Sequence, residues 1–315
     1  MKKTTIVIMA ALALGAAGCK KKKKPAPSPS PTASASPGAG ASPTPTATPS
    51  PSASAPATPP AGGPQVVLTD AGGEMVQLGC WDPDKKAIVD DESCLKAAPD
   101  VVELVDSEGK TMTTTKKQEV VFCEIEGEEP DKNWGFAMPE GVGASVAVYP
   151  KDAPVKLTGG SGDSDATPAQ LKAAFAALSA SLQAQSDSLA KGKKTKVVLK
   201  DPAALVTPAV DLDGDGKPEM IISVQADQPR PEEPDLPTQQ SGLYADFGDG
   251  KLVELFVETG TPSGGIDIEG YLDLGADGRT EIVVKGHWNG GYRESIIFVG
   301  PDRKPQAVGS IGCDS

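Results

Sequence analysis

After residue 64, apolar and polar positions mostly alternate in short runs, separated by acidic, glycine-rich stretches. "VVL" (66–68) and "EMVQL" (74–78) flank Thr69-Asp70-Ala71-Gly72-Gly73, a spacing that predicts a hairpin. "DVVELVD" (100–106) and "KTMTTT" (110–115) flank Ser107-Glu108-Gly109 and predict a second one. "EVVFCEI" (119–125) and "ASVAVYP" (144–150) read as two further strands. Residues 65–158 are therefore expected to form a small β-sheet domain with acidic loops.

The period then changes. Leu171, Phe175, Leu178, Leu182 and Leu189 recur at helical spacing, with Ala, Ser, Gln and Asp on the opposite face. Thr167 with Gln170 makes a capping box, and Pro168 suits the first helical position. An amphipathic helix over 166–192 is expected, ended by Gly192 and its flanking lysines and packed by its single stripe against a sheet.

Residues 196–315 contain an internal repeat. Gly216 matches Gly278 and Glu219 matches Glu281, both 62 positions apart. In each unit an acidic loop precedes an apolar run, "MIISV" (220–224) or "IVV" (282–284). A hairpin pair follows, 242–247 with 251–257 and 292–299 with 306–311. The insert "DQPRPEEPDLPTQQ" (227–240) is expected to be an exposed loop. Each unit reads as about four antiparallel strands, the pattern of a propeller blade, but two blades cannot close a propeller. One curved sheet or a sandwich is expected instead. The fold class is mainly β with one amphipathic helix (α+β). It comprises an N-terminal small β-sheet domain, a C-terminal two-unit blade-like antiparallel β region and a disordered N-terminal stalk.

That stalk follows from composition. Pro25 to Pro64 contains only Pro, Ala, Ser, Thr and Gly, which cannot build a core. Extended at ~3.1 Å per residue, it reaches on the order of 120 Å. Before it, Lys2 and Lys3 lead an apolar run of about ten residues, too short to span a bilayer. Ala16-Ala17-Gly18-Cys19 ends this run and resembles a bacterial lipobox. The resemblance implies that residues 1–18 are a lipoprotein signal peptide and that Cys19 is acylated, including by palmitate, and becomes the mature N-terminus. Ala16 stands where that family most often has Leu. The lysine run Lys20 to Lys24 adds about 1 kcal/mol per residue at an anionic bilayer surface. Residues 19–64 thus form anchor and linker. Lys20, in place of an inner-membrane-retaining Asp, implies an outer-membrane lipoprotein of the cell envelope, periplasmic or surface-exposed.

Charge narrows the partners. Seven of the 30 Lys+Arg precede residue 25, whereas all 43 Asp+Glu follow residue 64, so residues 65–315 carry a net charge of −20. Such a domain repels nucleic acid and suits cations or basic partners. Apart from Cys19 there are four cysteines, Cys80, Cys94, Cys123 and Cys313, which points to two disulfides outside the cytoplasm. Three pairings exist. The short, turn-like segment between Cys80 and Cys94 favours joining those two, which leaves Cys123 with Cys313.

"DLDGDGKPEMII" (211–222) carries the most specific chemistry. Asp211, Asp213 and Asp215 place hard oxygens at positions 1, 3 and 5 of a tight loop. The Lys217 carbonyl and Glu219 carboxylate can supply positions 7 and 9, a donor set suited to calcium. An EF-hand is excluded, because position 12 is Ile222, Pro208 disfavours an entering helix and the exit is β-rich. The stretch instead resembles the FG-GAP/VCBS calcium repeat of integrin-like propellers and bacterial surface proteins, whose D-x-D-G-D-G-x-x-[DE] loop joins two strands. The resemblance covers 205–225 well and 266–285 partly. The second loop offers Asp273, Asp277 and Glu281, but Gly275 and Ala276 leave position 3 without an acid. One tight calcium site and one weak or empty loop are expected, with Gly275→Asp the change that adds a second site.

No G-x-S-x-G, no phosphate loop and no His besides His287 are present. The chain therefore reads as a non-enzymatic binding or adhesion protein with an unknown protein or glycan partner. The alternative is a carbohydrate-active or other hydrolytic enzyme of the cell envelope using a carboxylate pair. His287-Trp288-Asn289 with Tyr292 is the cluster that suits stacking on a sugar.

Overall fold

The computed structural model describes residues 65–91, 93–96, 98–125, 129–153, 163–189, 196–230, 233–259, 264–288 and 290–314. The expected leader, Cys19 anchor, lysine run and stalk, and the helix stop at Gly192, lie outside the described residues. The fold is mainly β with one long helix and three antiparallel sheets.

The first sheet holds β1 (Gln65–Asp70), β2 (Glu74–Asp82), β3 (Ala87–Val89), β4 (Glu103–Asp106), β5 (Thr111–Thr113), β6 (Lys116–Cys123), β7 (Asp131–Ala137) and β8 (Val146–Tyr149), with a short helix α1 (Ser93–Lys96) after β3. Its order is β5-β4-β8-β1-β2-β7-β6, with β3 on β2. The hairpins β1–β2 and β4–β5 form where the turn residues put them. Alternation did not disclose β7, which reads Asp-Lys-Asn-Trp-Gly-Phe-Ala. A Cβ on its Gly135 would lie 2.5 Å from the Met75 carbonyl oxygen, so this close approach to β2 requires glycine.

The second sheet holds β9 (Ser164–Asp165), β10 (Lys200–Val210), β11 (Glu219–Arg230), β12 (Glu233–Asp246) and β13 (Leu252–Thr259), in the order β13-β12-β11-β10-β9. Helix α2 (Pro168–Leu189) runs between β9 and β10. Its capping box is formed: the Thr167 amide donates to Gln170 Oε1 at 2.8 Å, and the Gln170 amide to Thr167 Oγ1 at 3.3 Å. Ala174, Leu178 and Leu182 pack on Ile222, Val224 and Tyr244 of the sheet. Leu189 does not share this contact and is 80% exposed at the helix end.

Residues 227–230 and 233–240 of the insert do not form a loop. They extend β11 and β12 as paired strands, a two-stranded arm, with Asp227 opposite Gln239 and Arg230 opposite Glu233. The pairing of β10 with β11 stops at Asp227, and that of β13 with β12 at Gln240. Beyond these points each strand of the arm has one free edge, where a proline with its nitrogen facing outward costs no ladder hydrogen bond.

The third sheet is a four-strand meander of β14 (Gly265–Leu272), β15 (Glu281–Trp288), β16 (Gly291–Val299) and β17 (Pro305–Asp314). It lies between the other two. Val283, Ile296 and Phe298 pack with Val67, Val76 and Leu78 of the first sheet. Ile282, Val284, Ile297 and Val299 pack with Ile221, Leu243 and Leu255 of the second. Burial on both faces explains the unbroken apolar runs in β15 and β16. Each fully buried Ile or Val contributes about 1.5–3 kcal/mol of transfer free energy. The two repeat units therefore face one another as a sandwich. Residues 65–153 share their inner core with the second unit of the repeat. Disulfides join Cys80 to Cys94 and Cys123 to Cys313, the latter tying β6 to β17.

Candidate metal centre

Two acidic loops of matching design lie side by side. Residues 211–218 join β10 to β11, and residues 273–280 join β14 to β15. In the first, the Leu212 amide donates to Glu219 Oε2 at 2.7 Å; in the second, the Leu274 amide donates to Glu281 Oε2 at 2.8 Å. The Gly216 amide reaches Asp211 Oδ2 at 2.8 Å, and the Gly278 amide reaches Asp273 Oδ1 at 3.4 Å. The Lys217 amide reaches Asp215 Oδ1 at 2.8 Å, and the Arg279 amide reaches Asp277 Oδ1 at 3.0 Å. Every pair is related by the same offset of 62. Leu212 and Leu274, both fully buried, pin the loops to the cores on either side of β15. The loops also touch: Thr280 donates its amide to the Asp211 carbonyl at 2.7 Å, and a Cβ on Gly214 would lie 2.7 Å from Arg279 Cγ.

The first loop brings its acids together. One carboxylate oxygen each of Asp211, Asp213 and Asp215 lies within 4.8 Å of the others. Gly214 and Gly216, at φ 78° and 82°, supply the left-handed backbone that folds the loop around them. Asp211 also accepts from the Gly214 amide at 2.8 Å, and Asp213 from the Asp215 amide at 3.2 Å. Glu219 is nearly buried. Burial pushes its carboxyl above the ordinary value; the Leu212 amide opposes this, and the negative charges of Asp213, Asp211 and Asp215 add to it. Asp215 is lowered, first by the Lys217 amide and then by the Lys217 ammonium. Hard carboxylate oxygens this close repel one another unless a cation lies among them, and the set suits calcium or another hard divalent ion.

A basic side chain already stands there. Arg303, in the β16–β17 turn at φ 59°, donates from Nε to Asp213 Oδ2 at 2.8 Å. Its terminal nitrogen lies 3.6 Å from Asp215 Oδ2, and its guanidinium sits 5.1 Å from the Phe247 ring centre. The partner is 90 residues from Asp213 in sequence, and nothing in "PDRK" marks it as part of the site.

The second loop is arranged differently. Among the described residues, Asp273, Asp277 and Glu281 do not form such a converging group. Asp277 is engaged by the Arg279 guanidinium, which also lies 4.8 Å from the Phe298 ring centre. Position 3 is closed by packing: Gly275 has φ 78°, its amide donates to Gln65 Oε1 at 3.2 Å, and a Cβ there would lie 2.5 Å from the Trp81 ring. An aspartate at 275 would have to displace the Trp81 ring, which stands against the expectation that Gly275→Asp adds a site. Glu281 is fully buried with Oε1 unpartnered, and burial pushes its carboxyl well above the ordinary value.

The aromatic cluster expected to stack on a sugar is divided. His287 stands opposite Tyr292 and Trp288 opposite Gly291 in the β15–β16 hairpin, so Trp288 and Tyr292 project from opposite faces. Asn289 lies outside the described residues. His287 instead lies 3.4 Å from Asp267.

Comparisons with protein-family models, curated proteins and solved structures find no match for this chain.

Proposed function

We propose that this is an envelope lipoprotein that presents an acidic β domain on a Pro-rich stalk, and that calcium bound by Asp211, Asp213, Asp215, Glu219 and the Lys217 carbonyl stiffens that domain for binding a partner. The observation that carries the metal assignment is the convergence of three aspartate oxygens within 4.8 Å in a loop between strands. In this reading the ion is structural. It replaces Arg303 as the counter-charge of the loop and braces the junction of the two repeat loops, which meet through Thr280 and Asp211. The lipobox-like segment and the FG-GAP/VCBS-like loop support placement at the outer membrane and a role in adhesion to a protein or glycan.

Ion binding to the folded state alone raises the thermal midpoint in proportion to log calcium. The full chain in detergent is expected to show that dependence between micromolar and millimolar calcium. A midpoint that ignores calcium, or follows sodium equally, removes the metal from this reading. Metabolic palmitate labelling tests the anchor: label and membrane partition are expected to vanish together in Cys19→Ser.

A further inference from the structure

The apolar interface between the first and third sheets ends abruptly. Val283 and Ile296 face the first sheet, and one step further along the same strands the residues on that face are Lys285 and Glu294. The sheets part here into a recess of about 500 Å³, lined by Asp70, Asp106, Glu108, Glu269 and Glu294, with Lys110 and Lys285. Ser107 and the 143–145 segment complete the wall.

The wall is a constructed one. The Ser145 carbonyl accepts from the Asp70 amide at 3.2 Å, with Thr69 Oγ1 3.1 Å away. Ser107 donates its amide to the Val146 carbonyl at 3.2 Å, which docks the β4–β5 turn beside β8. At the base, Glu294 is 1% exposed and is held by Lys285 Nζ at 2.6 Å and by the Thr69 hydroxyl. Burial pushes Glu294 up, and its two donors limit that rise. Asp106 is 5% exposed although it lines the recess. Its Oδ1 takes the Glu108 and Lys110 amides at 3.0 and 2.8 Å, and among the described residues no donor reaches Oδ2. Among the described residues, the Glu108 and Glu269 carboxylates make no hydrogen bond or close ion pair, although the Glu269 charge is felt by Lys285.

A pair such as Lys285–Glu294 is poor value for stability, because desolvating both charges offsets most of their attraction. Buried polar groups at the base of a cleft are more informative as part of a site. Five carboxylates against two ammonium groups leave the recess strongly negative, and the low-dielectric sheets on both sides focus that field. The size excludes a bare ion as the fitting occupant: a metal needs oxygens at about 2.3–2.6 Å, whereas a volume of this order holds many waters at ~30 Å³ each. We propose that the recess binds a small organic polycation, a ligand carrying two or more ammonium or guanidinium groups. One group meets Asp106 at the buried end, and another meets Glu108 and Glu269 nearer the mouth. This site is separate from the 211–219 loop and does not depend on calcium.

Spermidine is the probe. Calorimetric titration of the full chain at low salt, in calcium-free buffer, is expected to give saturable one-to-one binding that weakens towards physiological ionic strength. Glu108→Gln and Glu269→Gln are each expected to weaken it by about five-fold, the size of one charge contact in water-like surroundings. Ser107→Lys keeps every carboxylate and is expected to abolish the heat while the thermal midpoint stays within a few degrees. Asp213→Ala is expected to leave spermidine binding unchanged. Absence of saturable heat overturns the proposal. So does binding that survives Ser107→Lys, or binding that an equal charge concentration of magnesium displaces as well as spermidine does, since either result means diffuse attraction to an acidic surface.

Discussion

Arg303 donates from Nε to Asp213 Oδ2 at 2.8 Å, so the acidic loop after β10 is already neutralised in part by a side chain from the β16–β17 turn. The same carboxylate cannot give its full charge to a guanidinium and to a divalent ion at once. Removing the arginine is therefore expected to favour the ion. Arg303→Gln should tighten calcium binding by about ten-fold, a coupling of about 1.4 kcal/mol. It should also lower the calcium-free thermal midpoint. Paired melts and titrations of the two proteins measure both quantities. Unchanged or weaker calcium affinity in Arg303→Gln contradicts competition at Asp213.

Gly275→Asp is expected to give no second calcium site. At φ 78° a non-glycine residue is strained, and its Cβ would overlap the Trp81 ring at 2.5 Å. Overpacking of this kind costs about 1–3 kcal/mol, or several degrees in a domain of this size. The expected result is a lower midpoint with an unaltered calcium stoichiometry. A second heat of binding would show that Trp81 yields and the loop adapts.

The alkaline limb of the stability curve should depend on Tyr244. Burial raises its phenol from the ordinary 10.0 to about 12, with the Ser181 hydrogen bond opposing and Glu254 reinforcing the rise. An acid whose folded value lies above its unfolded value is bound to more protons when folded. Its contribution is complete below pH 10 and is lost as pH rises from about 10 towards 12, at up to about 1.4 kcal/mol per pH unit. In Tyr244→Phe that loss should be absent. At pH 8 the variant should cost only about 0.5–1.5 kcal/mol, for the hydrogen bond to Ser181. Melts at pH 8 to 12 compare the slopes, and parallel slopes would contradict the assignment.

The two disulfides should differ in value. Cys80–Cys94 closes 14 residues and Cys123–Cys313 closes 190. On the chain-entropy estimate these are worth about 3 and about 5 kcal/mol. Replacing Cys123 and Cys313 together by Ala should therefore lower the denaturation midpoint more than replacing Cys80 and Cys94 together. The reverse order would show that packing around Cys80, fully buried on the outer face of the first sheet, outweighs loop closure.

What could be seen in the sequence was what is local. The hairpin turns, the Thr167–Gln170 cap and the offset of 62 between the two loops all depend on neighbours a few residues apart, and each is present in the fold. The strand β7 was hidden because its glycine answers to a carbonyl on β2 rather than to its own neighbours. The strands at 227–230 and 233–240, where a loop is expected, depend on pairing with each other rather than on local sequence. At the candidate metal centre the acidic residues were legible from their spacing. Arg303 and Trp81 were not, because they reach the two loops only through the stacking of three sheets.

The most direct test of the account is a calorimetric calcium titration of the full chain beside Asp213→Ala and Asp273→Ala. The convergence of Asp211, Asp213 and Asp215, against a second loop closed by Arg279 and Trp81, predicts one tight site in the unaltered chain. That site should be lost in Asp213→Ala and kept in Asp273→Ala. Two equally tight sites, or no heat at millimolar calcium, would contradict it.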